Sequence, residues 1–206
     1  MAASLLEVRD LHLWRGSLHV LRGLSFEACA GDVLVLEGAN GSGKTSLLRV
    51  LAGLLWPEAG EVRWEGQALD DDRAALGRRV SFLGHEQGLH ADLTPAENAM
   101  FATQLRRRCA ADEVREALAQ VGMADTDRPT RALSAGQRRR VAMARVLLAK
   151  APVWLLDEPW THLDASGVRL CQDLIEAHAA HGGLVVLSAH YGVDFKSTRL
   201  RRLGLS

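Results

Sequence analysis

One stretch, Gly38-Ala39-Asn40-Gly41-Ser42-Gly43-Lys44-Thr45, limits what this chain can fold into more than any other. The apolar, β-branched run Val33-Leu34-Val35-Leu36 comes before it, and Ser46-Leu47-Leu48-Arg49-Val50-Leu51 follows with leucines at helical spacing. The glycines therefore stand between a buried strand and a helix, the setting in which G-x-x-x-x-G-K-[ST] spacing binds phosphate. Gly38, Gly41 and Gly43 open backbone conformations closed to bulkier residues. Successive N–H groups from Gly38 to Ser46 can then point at one anion, at the positive end of the helix that follows. Lys44 is expected to reach the β- and γ-phosphates of a nucleoside triphosphate, and Thr45 to offer its hydroxyl to Mg²⁺. The alternative, a chance glycine turn, leaves the strand before it and the helix after it unexplained.

A second constellation lies about a hundred residues on. Val153-Trp154-Leu155-Leu156 is an apolar run that ends in Asp157-Glu158-Pro159. A buried strand ending in carboxylates brings them to the C-terminal edge of a sheet, beside the phosphate loop. There Asp157 would hold Mg²⁺ directly or through water, and Glu158 would orient and polarise an attacking water. Two acids at an ordinary strand end are the other reading. Leu184-Val185-Val186-Leu187-Ser188 is a further buried strand, with His190 at the same edge, where it can donate to a γ-phosphate. Val80-Ser81-Phe82-Leu83 is another, and the polar loop after it, Gly84 to His90, falls where α/β sheets line ligand crevices. That makes His85 a candidate for Mg²⁺ or water contacts, although no carboxylate–histidine pair at helical spacing supports a transition-metal site. Leu133-Ser134-Ala135-Gly136-Gln137 opens a helix with Ser134 as N-cap. It is either a second anion site or an ordinary capped helix, and spacing alone favours the latter.

Between these motifs, residues 5–13, 18–28 and 61–66 predict a small antiparallel sheet, interrupted at Trp14-Arg15-Gly16. Trp14 either stacks on a purine base or fills that sheet's core. Thr94-Pro95-Ala96-Glu97 predicts a capped helix start. Helix is then expected to Gln120, with a break near Cys109 and Asp112 capping a second helix. The result is a helical insert over about residues 90–146. Arg106-Arg107-Arg108 reads as a solvated face, since no aromatics are interleaved. The tail from Arg199 to Leu205 reads as a last edge strand. The 206 residues suffice for one α/β domain. Lys plus Arg and Asp plus Glu both number 25, so no global charge draws the chain to nucleic acid. Cys29, Cys109 and Cys171 are odd in number and lack metal spacing, which predicts reduced thiols in a cytosolic protein. No apolar run approaches a membrane span, and the N-terminus has no signal-peptide pattern, so a membrane role is expected to come through a partner.

Taken in order, these pieces resemble the ATP-binding-cassette (ABC) ATPase family over essentially the whole chain. Gly38 to Thr45 matches Walker A, and Leu133 to Gln137 the signature, with Ala135 for its first glycine. Leu155 to Pro159 matches Walker B with its catalytic Glu158. Thr161-His162-Leu163-Asp164 matches the D-loop, and His190 the switch histidine. The resemblance implies an α/β, P-loop NTPase fold of ABC type: a RecA-like core, an antiparallel β-subdomain and an α-helical subdomain, in a single ATP-binding domain over 1–206. It also implies a head-to-tail homodimer that sandwiches two ATP with Mg²⁺, no nucleic acid being involved. Ser134 and the Gly136 N–H would meet the γ-phosphate held by the partner's cradle. Lys44, Glu158 and His190 would be catalytic, and Thr45, Asp157 and His85 would serve the metal. Two positions depart from the family pattern: His85 aligns with the Q-loop glutamine, Gln87 being out of register, and Arg15 aligns with the adenine-stacking aromatic, next to Trp14.

Within the family, the chain resembles the haem-exporter ATPases of cytochrome c maturation. The marks are the Gly84-His85-x-x-Gly88-Leu89 loop, the Leu93-Thr94-x-x-Glu97-Asn98 helix start, Ser134-Ala135-Gly136-Gln137-x-Arg139-Arg140-Val141-Ala142, and Leu155 to Thr161. That likeness implies separate integral membrane subunits of a haem-handling complex, of CcmB/CcmC type. It places the chain as a peripheral subunit on the cytoplasmic face of the bacterial inner membrane. ATP hydrolysis would then drive haem handling through release of a haem-loaded periplasmic chaperone. The other readings are an exporter ATPase for lipoproteins or small peptides, and a cassette protein acting on ribosomes or DNA.

Overall fold

A computed structural model describes residues 4–69, 73–124, 127–189, 195 and 199–205. Two sheets organise it. The first is parallel and five-stranded: β3 (Asp32–Glu37), β6 (Val80–Leu83), β7 (Val153–Asp157), β8 (Leu184–Ser188) and β9 (Arg199–Gly204), in the order β6-β7-β8-β3-β9. Every residue of β7 and β8 is buried, as strands covered on both faces require. Alternate residues divide between two cores. Val33, Val35, Leu156, Val185 and Leu187 face one side; Leu34, Leu36, Leu155, Leu184 and Val186 face the other. That period of two is the pleat itself. The tail is an edge strand, as its sequence suggests, with β9 parallel to β3. Asp32, fully buried, holds it by pairing with Arg199 at 3.3 Å and Arg201 at 3.4 Å.

The second sheet is antiparallel, with β1 (Ser4–Arg15), β2 (Leu18–Cys29), β4 (Ala59–Trp64) and β5 (Gln67–Ala68) in the order β2-β1-β4-β5. The first strand runs on through Trp14 and Arg15, so only Gly16 and Ser17 form the turn. Gly16 supplies the positive φ, 61°, that so tight a turn asks for. Leu6, Val8, Leu11, Leu13 and Leu21 pack with Leu47, Leu48 and Leu51 of α1 (Lys44–Leu51). Each of these three α1 leucines is fully buried, a burial that stabilises by roughly 1.5–3 kcal/mol apiece. The antiparallel sheet is thereby fastened to the helix that follows the glycine loop.

The short α2 (Arg73–Arg79) leads into β6. On the other side of the parallel sheet lie α3 (Pro95–Gln104), α4 (Ala111–Gln120), α5 (Ala135–Leu148) and α6 (Ala165–Ala180). The Thr94 capping box forms as expected, with Glu97 N–H donating to Thr94 Oγ1 at 3.2 Å and Thr94 N–H to Glu97 Oε2 at 2.8 Å. Two expectations need correction. The break after α3 spans Leu105 to Ala110, and the residue capping α4 is Ala110, not Asp112. Glu113, at the third helical position, reaches back to Ala110 N–H and so leaves Asp112 in the first turn. The Arg106-Arg107-Arg108 run is also more than a solvated face. Arg106 donates to the carbonyls of Gly77 and Val80, and Arg107 donates to Leu148 O at 2.9 Å and pairs with Glu113 at 2.8 Å. Main-chain carbonyls at element ends need donors, and this loop supplies them. No helix among the described residues is long and apolar enough to cross a membrane.

Candidate nucleotide site

The glycine loop leaves the C-terminal end of β3 and enters α1. Gly38 (φ 150°) is crowded: a Cβ there would stand 2.4 Å from Leu205 O and 2.6 Å from Ser42 Oγ. Gly43, the N-cap of α1, has φ 100°, and a Cβ there would meet Val20 Cγ1 at 2.7 Å. Two separate constraints, crowding and a left-handed backbone, therefore fix glycine at these positions. The Gly43 contact also shows that β2 abuts the loop. Ser42 N–H bonds Ala39 O at 3.2 Å. Lys44 is buried, and its Nζ donates to Gly38 O at 2.7 Å and Ala39 O at 2.9 Å, so the loop is wrapped around its ammonium. Asn40 and Gly41 are exposed, and Ala39 rims the loop with them. Thr45 and Ser46 are half-buried in the first helical turn, where no acid opposes the positive end of the helix. Ser42 Oγ is buried with no hydrogen-bond partner among the described residues, a polar atom that an incoming anion would satisfy. The cradle thus fits a phosphate chain.

At the neighbouring strand ends, Thr45 Oγ1 donates to Asp157 at 2.9 and 3.1 Å. Ser188 Oγ donates to Asp157 Oδ1 at 2.7 Å and accepts from Glu158 N–H at 2.9 Å. Asp157 and Ser188 are partners in the parallel register, and both are buried. Sequence reasoning overlooked Ser188, although its place at the end of the strand next to β7 was the signal available. Glu158 takes φ 47°, in the left-handed region, and its carboxylate accepts from Thr161 Oγ1 at 3.3 Å. A hydroxyl and a carboxylate within hydrogen-bond distance of each other are hard oxygen donors of the kind Mg²⁺ takes beside phosphate oxygens. Thr45 and Asp157 fit that ion. His85 is exposed in the loop after β6, and among the described residues no three His, Cys, Asp or Glu side chains converge as a metal cluster. His190 lies outside the described residues.

Ser134 and Gly136 form the tip of α5. Ser134 is exposed, accepts from Gln137 N–H at 3.1 Å and donates its own N–H to Gln137 Oε1 at 2.9 Å. Gly136 packs on the turn after β7, where a Cβ would come within 2.7 Å of His162 O. Arg15 and Trp14 are both exposed at the end of the β1–β2 hairpin, where the pairing register shifts between Leu13 and Trp14. Trp14 stacks on His19 with centroids 3.7 Å apart, with His12 beside them. It does not fill the sheet's core.

Comparison with known proteins agrees with this geometry. The family model described as ABC transporter matches residues 21–161. The "Cytochrome c biogenesis ATP-binding export protein CcmA" of Methylococcus capsulatus is 46% identical over 195 residues, which cover 93% of each chain. Its namesake from Vibrio cholerae is 41% identical over 203 residues, 98% of each chain. Among solved structures, an ABC transporter ATP-binding protein from Pyrococcus furiosus superposes with a TM-score of 0.85 at 25% identity, covering 97% of this chain and 96% of that one. A dimeric ATP-binding cassette in a post-hydrolysis state, bound to ADP and Pi, superposes at 0.81 with 24% identity, covering 90% and 88%, and shares the fold. By sequence and by fold, then, this chain belongs to the ABC transporter ATPases and, within them, to the cytochrome c biogenesis ATP-binding export proteins.

Proposed function

We propose that the chain is the ATP-hydrolysing subunit of a membrane complex that serves c-type cytochrome maturation, working as a homodimer. The observation that carries this reading is the hydrogen-bonded chain Thr45–Asp157–Ser188–Glu158, which links the first turn of α1 to the carboxylate end of β7. The amides from Gly38 to Ser46 bind the phosphate chain, and Lys44 exchanges its loop carbonyls for β- and γ-phosphate oxygens. Thr45 and Asp157, with His85 as a further candidate, would hold Mg²⁺, which neutralises phosphate charge when bound. Glu158 orients the attacking water and accepts its proton, and His190 donates to the γ-phosphate. The exposed tip of α5 supplies the complement, the partner subunit's Ser134 and the partner subunit's Gly136 N–H meeting the same γ-phosphate across the dimer. Arg15, exposed at the end of the hairpin whose Val20 abuts the glycine loop, would stack on adenine through its guanidinium plane.

The chain would attach peripherally to integral membrane subunits of CcmB/CcmC type, on the cytoplasmic face of the inner membrane; the relatives' printed role as ATP-binding export proteins of cytochrome c biogenesis supports a membrane complex. The cargo step would be haem delivery, by release of a haem-loaded chaperone, and the relatives' names favour it over lipoprotein or peptide export. The test is Glu158→Gln in a bacterium whose own copy of this subunit is deleted. The parental chain should restore c-type cytochromes. The variant should not, while it binds ATP and accumulates as a dimer. Restoration by the variant at the parental level refutes the role of Glu158. Failure of the parental chain, with a curated relative succeeding, refutes the assignment to cytochrome c maturation.

A further inference from the structure

Arg139, one turn into α5, is 3% exposed, and among the described residues its guanidinium pairs with no carboxylate. Its donors go to main-chain carbonyls instead. Nε meets Pro159 O at 3.1 Å, Nη1 meets Gly84 O at 2.8 Å, and Nη2 meets Glu158 O at 2.7 Å together with Asp157 O. Burial is the main influence on this group and disfavours its charge. Three of the four acceptors are consecutive, and they belong to the turn in which Glu158 adopts φ 47°. A non-glycine residue in the left-handed region persists only where its surroundings over-determine it. Here Ser188 Oγ holds the Glu158 N–H, and Arg139 holds the carbonyls on both sides and at Glu158 itself. The fourth acceptor, Gly84, follows β6 and begins the loop of His85.

We propose that Arg139 is a positioning residue for hydrolysis: its planar fork holds the Asp157-Glu158-Pro159 turn in the one conformation that aims the Glu158 carboxylate, and ties that aim to the tip of α5. This rests on the ATPase reading given above. A lysine cannot replace the fork, because a single ammonium has three donors and no planar spread. Loss of the aim should slow the chemical step while leaving the glycine cradle and its phosphate binding intact. Misplacement by about 1 Å costs on the order of 10²-fold in rate.

The test compares the parental chain, Arg139→Lys and Arg139→Met, each assembled with its membrane subunits. A fluorescent ATP analogue reports Kd, steady-state hydrolysis reports kcat and KM, and thermal melting reports folding. Arg139→Lys is expected to keep Kd within twofold and to lose about 10²-fold in kcat, with Arg139→Met lower still. The proposal is overturned if folded Arg139→Lys keeps the parental kcat. It is overturned equally if Kd weakens as much as kcat falls, or if neither variant folds, since those results assign Arg139 to structure alone. A parental chain that does not hydrolyse ATP refutes the ATPase reading rather than this role.

Discussion

Replacing Gly136 by alanine sets two opposed effects against each other, and the structure says which wins. Gly136 lies in the first turn of α5. Alanine is favoured over glycine in helices by about 0.8–1 kcal/mol, so propensity alone predicts a more stable protein. An added Cβ, however, would stand 2.7 Å from His162 O, whereas ordinary contact begins at 3.4 Å, so the carbonyl must retreat by 3.4 − 2.7 = 0.7 Å. It is poorly free to do so. His162 has φ 67°, and the turn around it is closed by Thr161 N–H to Glu158 O at 3.1 Å and Leu163 N–H to Trp160 O at 3.0 Å. Asp164, two residues on, caps α6 through Gly167 N–H at 2.8 Å. Overpacking against a fixed neighbour costs about 1–3 kcal/mol. The balance is a net loss of about 1 kcal/mol, or a melting temperature lower by about 2–4 °C for a chain of this size. Thermal and urea unfolding of the purified protein measure it. The sign is decisive: a melting temperature raised by several degrees means that the turn after β7 yields freely, and the contact then constrains nothing.

Ser188→Ala removes a donor from Asp157 and an acceptor from the Glu158 N–H; urea unfolding should show a loss of about 2 kcal/mol, the worth of a buried charge-assisted hydrogen bond. Glu113, held by Arg107 and Lys150, has its pKa lowered from 4.5 to about 2. The unfolded chain therefore binds this proton first on acidification. The stability it contributes is complete above about pH 4.5 and disappears as pH falls toward 2. Urea midpoints between pH 6 and 3 should accordingly fall less steeply in Glu113→Gln than in the parent, and equal slopes would contradict this.

What the sequence could show depended on how far apart the interacting groups lie along the chain. Thr94 and Glu97 are three residues apart, so their capping box is written in the spacing. The glycine loop is equally local, because strand, turn and helix are contiguous. Asp112 misled for a local reason: it is a favoured capping residue, but Glu113 was already committed to Ala110 N–H and to two cations. Arg15 and Trp14 are adjacent in sequence, and only the assembled hairpin shows Trp14 stacked on His19 across the strand pair.

Arg138-Arg139-Arg140 poses the harder case. Three like residues in a row carry no sequence sign of which one is buried. In the structure their fates diverge: Arg138 donates to Leu133 O, Arg140 pairs with Asp164 at 3.1 Å, and Arg139 turns inward. The helical rotation of about 100° per residue separates them, but which one faces inward depends on where β7 ends relative to α5. Its acceptors are main-chain carbonyls, which every residue has and no residue type reveals. Ser188 is hidden in the same way, since its neighbour Asp157 comes from strand register across 31 positions. Groups that would touch nucleotide announce themselves by residue type. Those that hold such groups in place do so through backbone atoms and register, and they become visible only once the sheet is assembled.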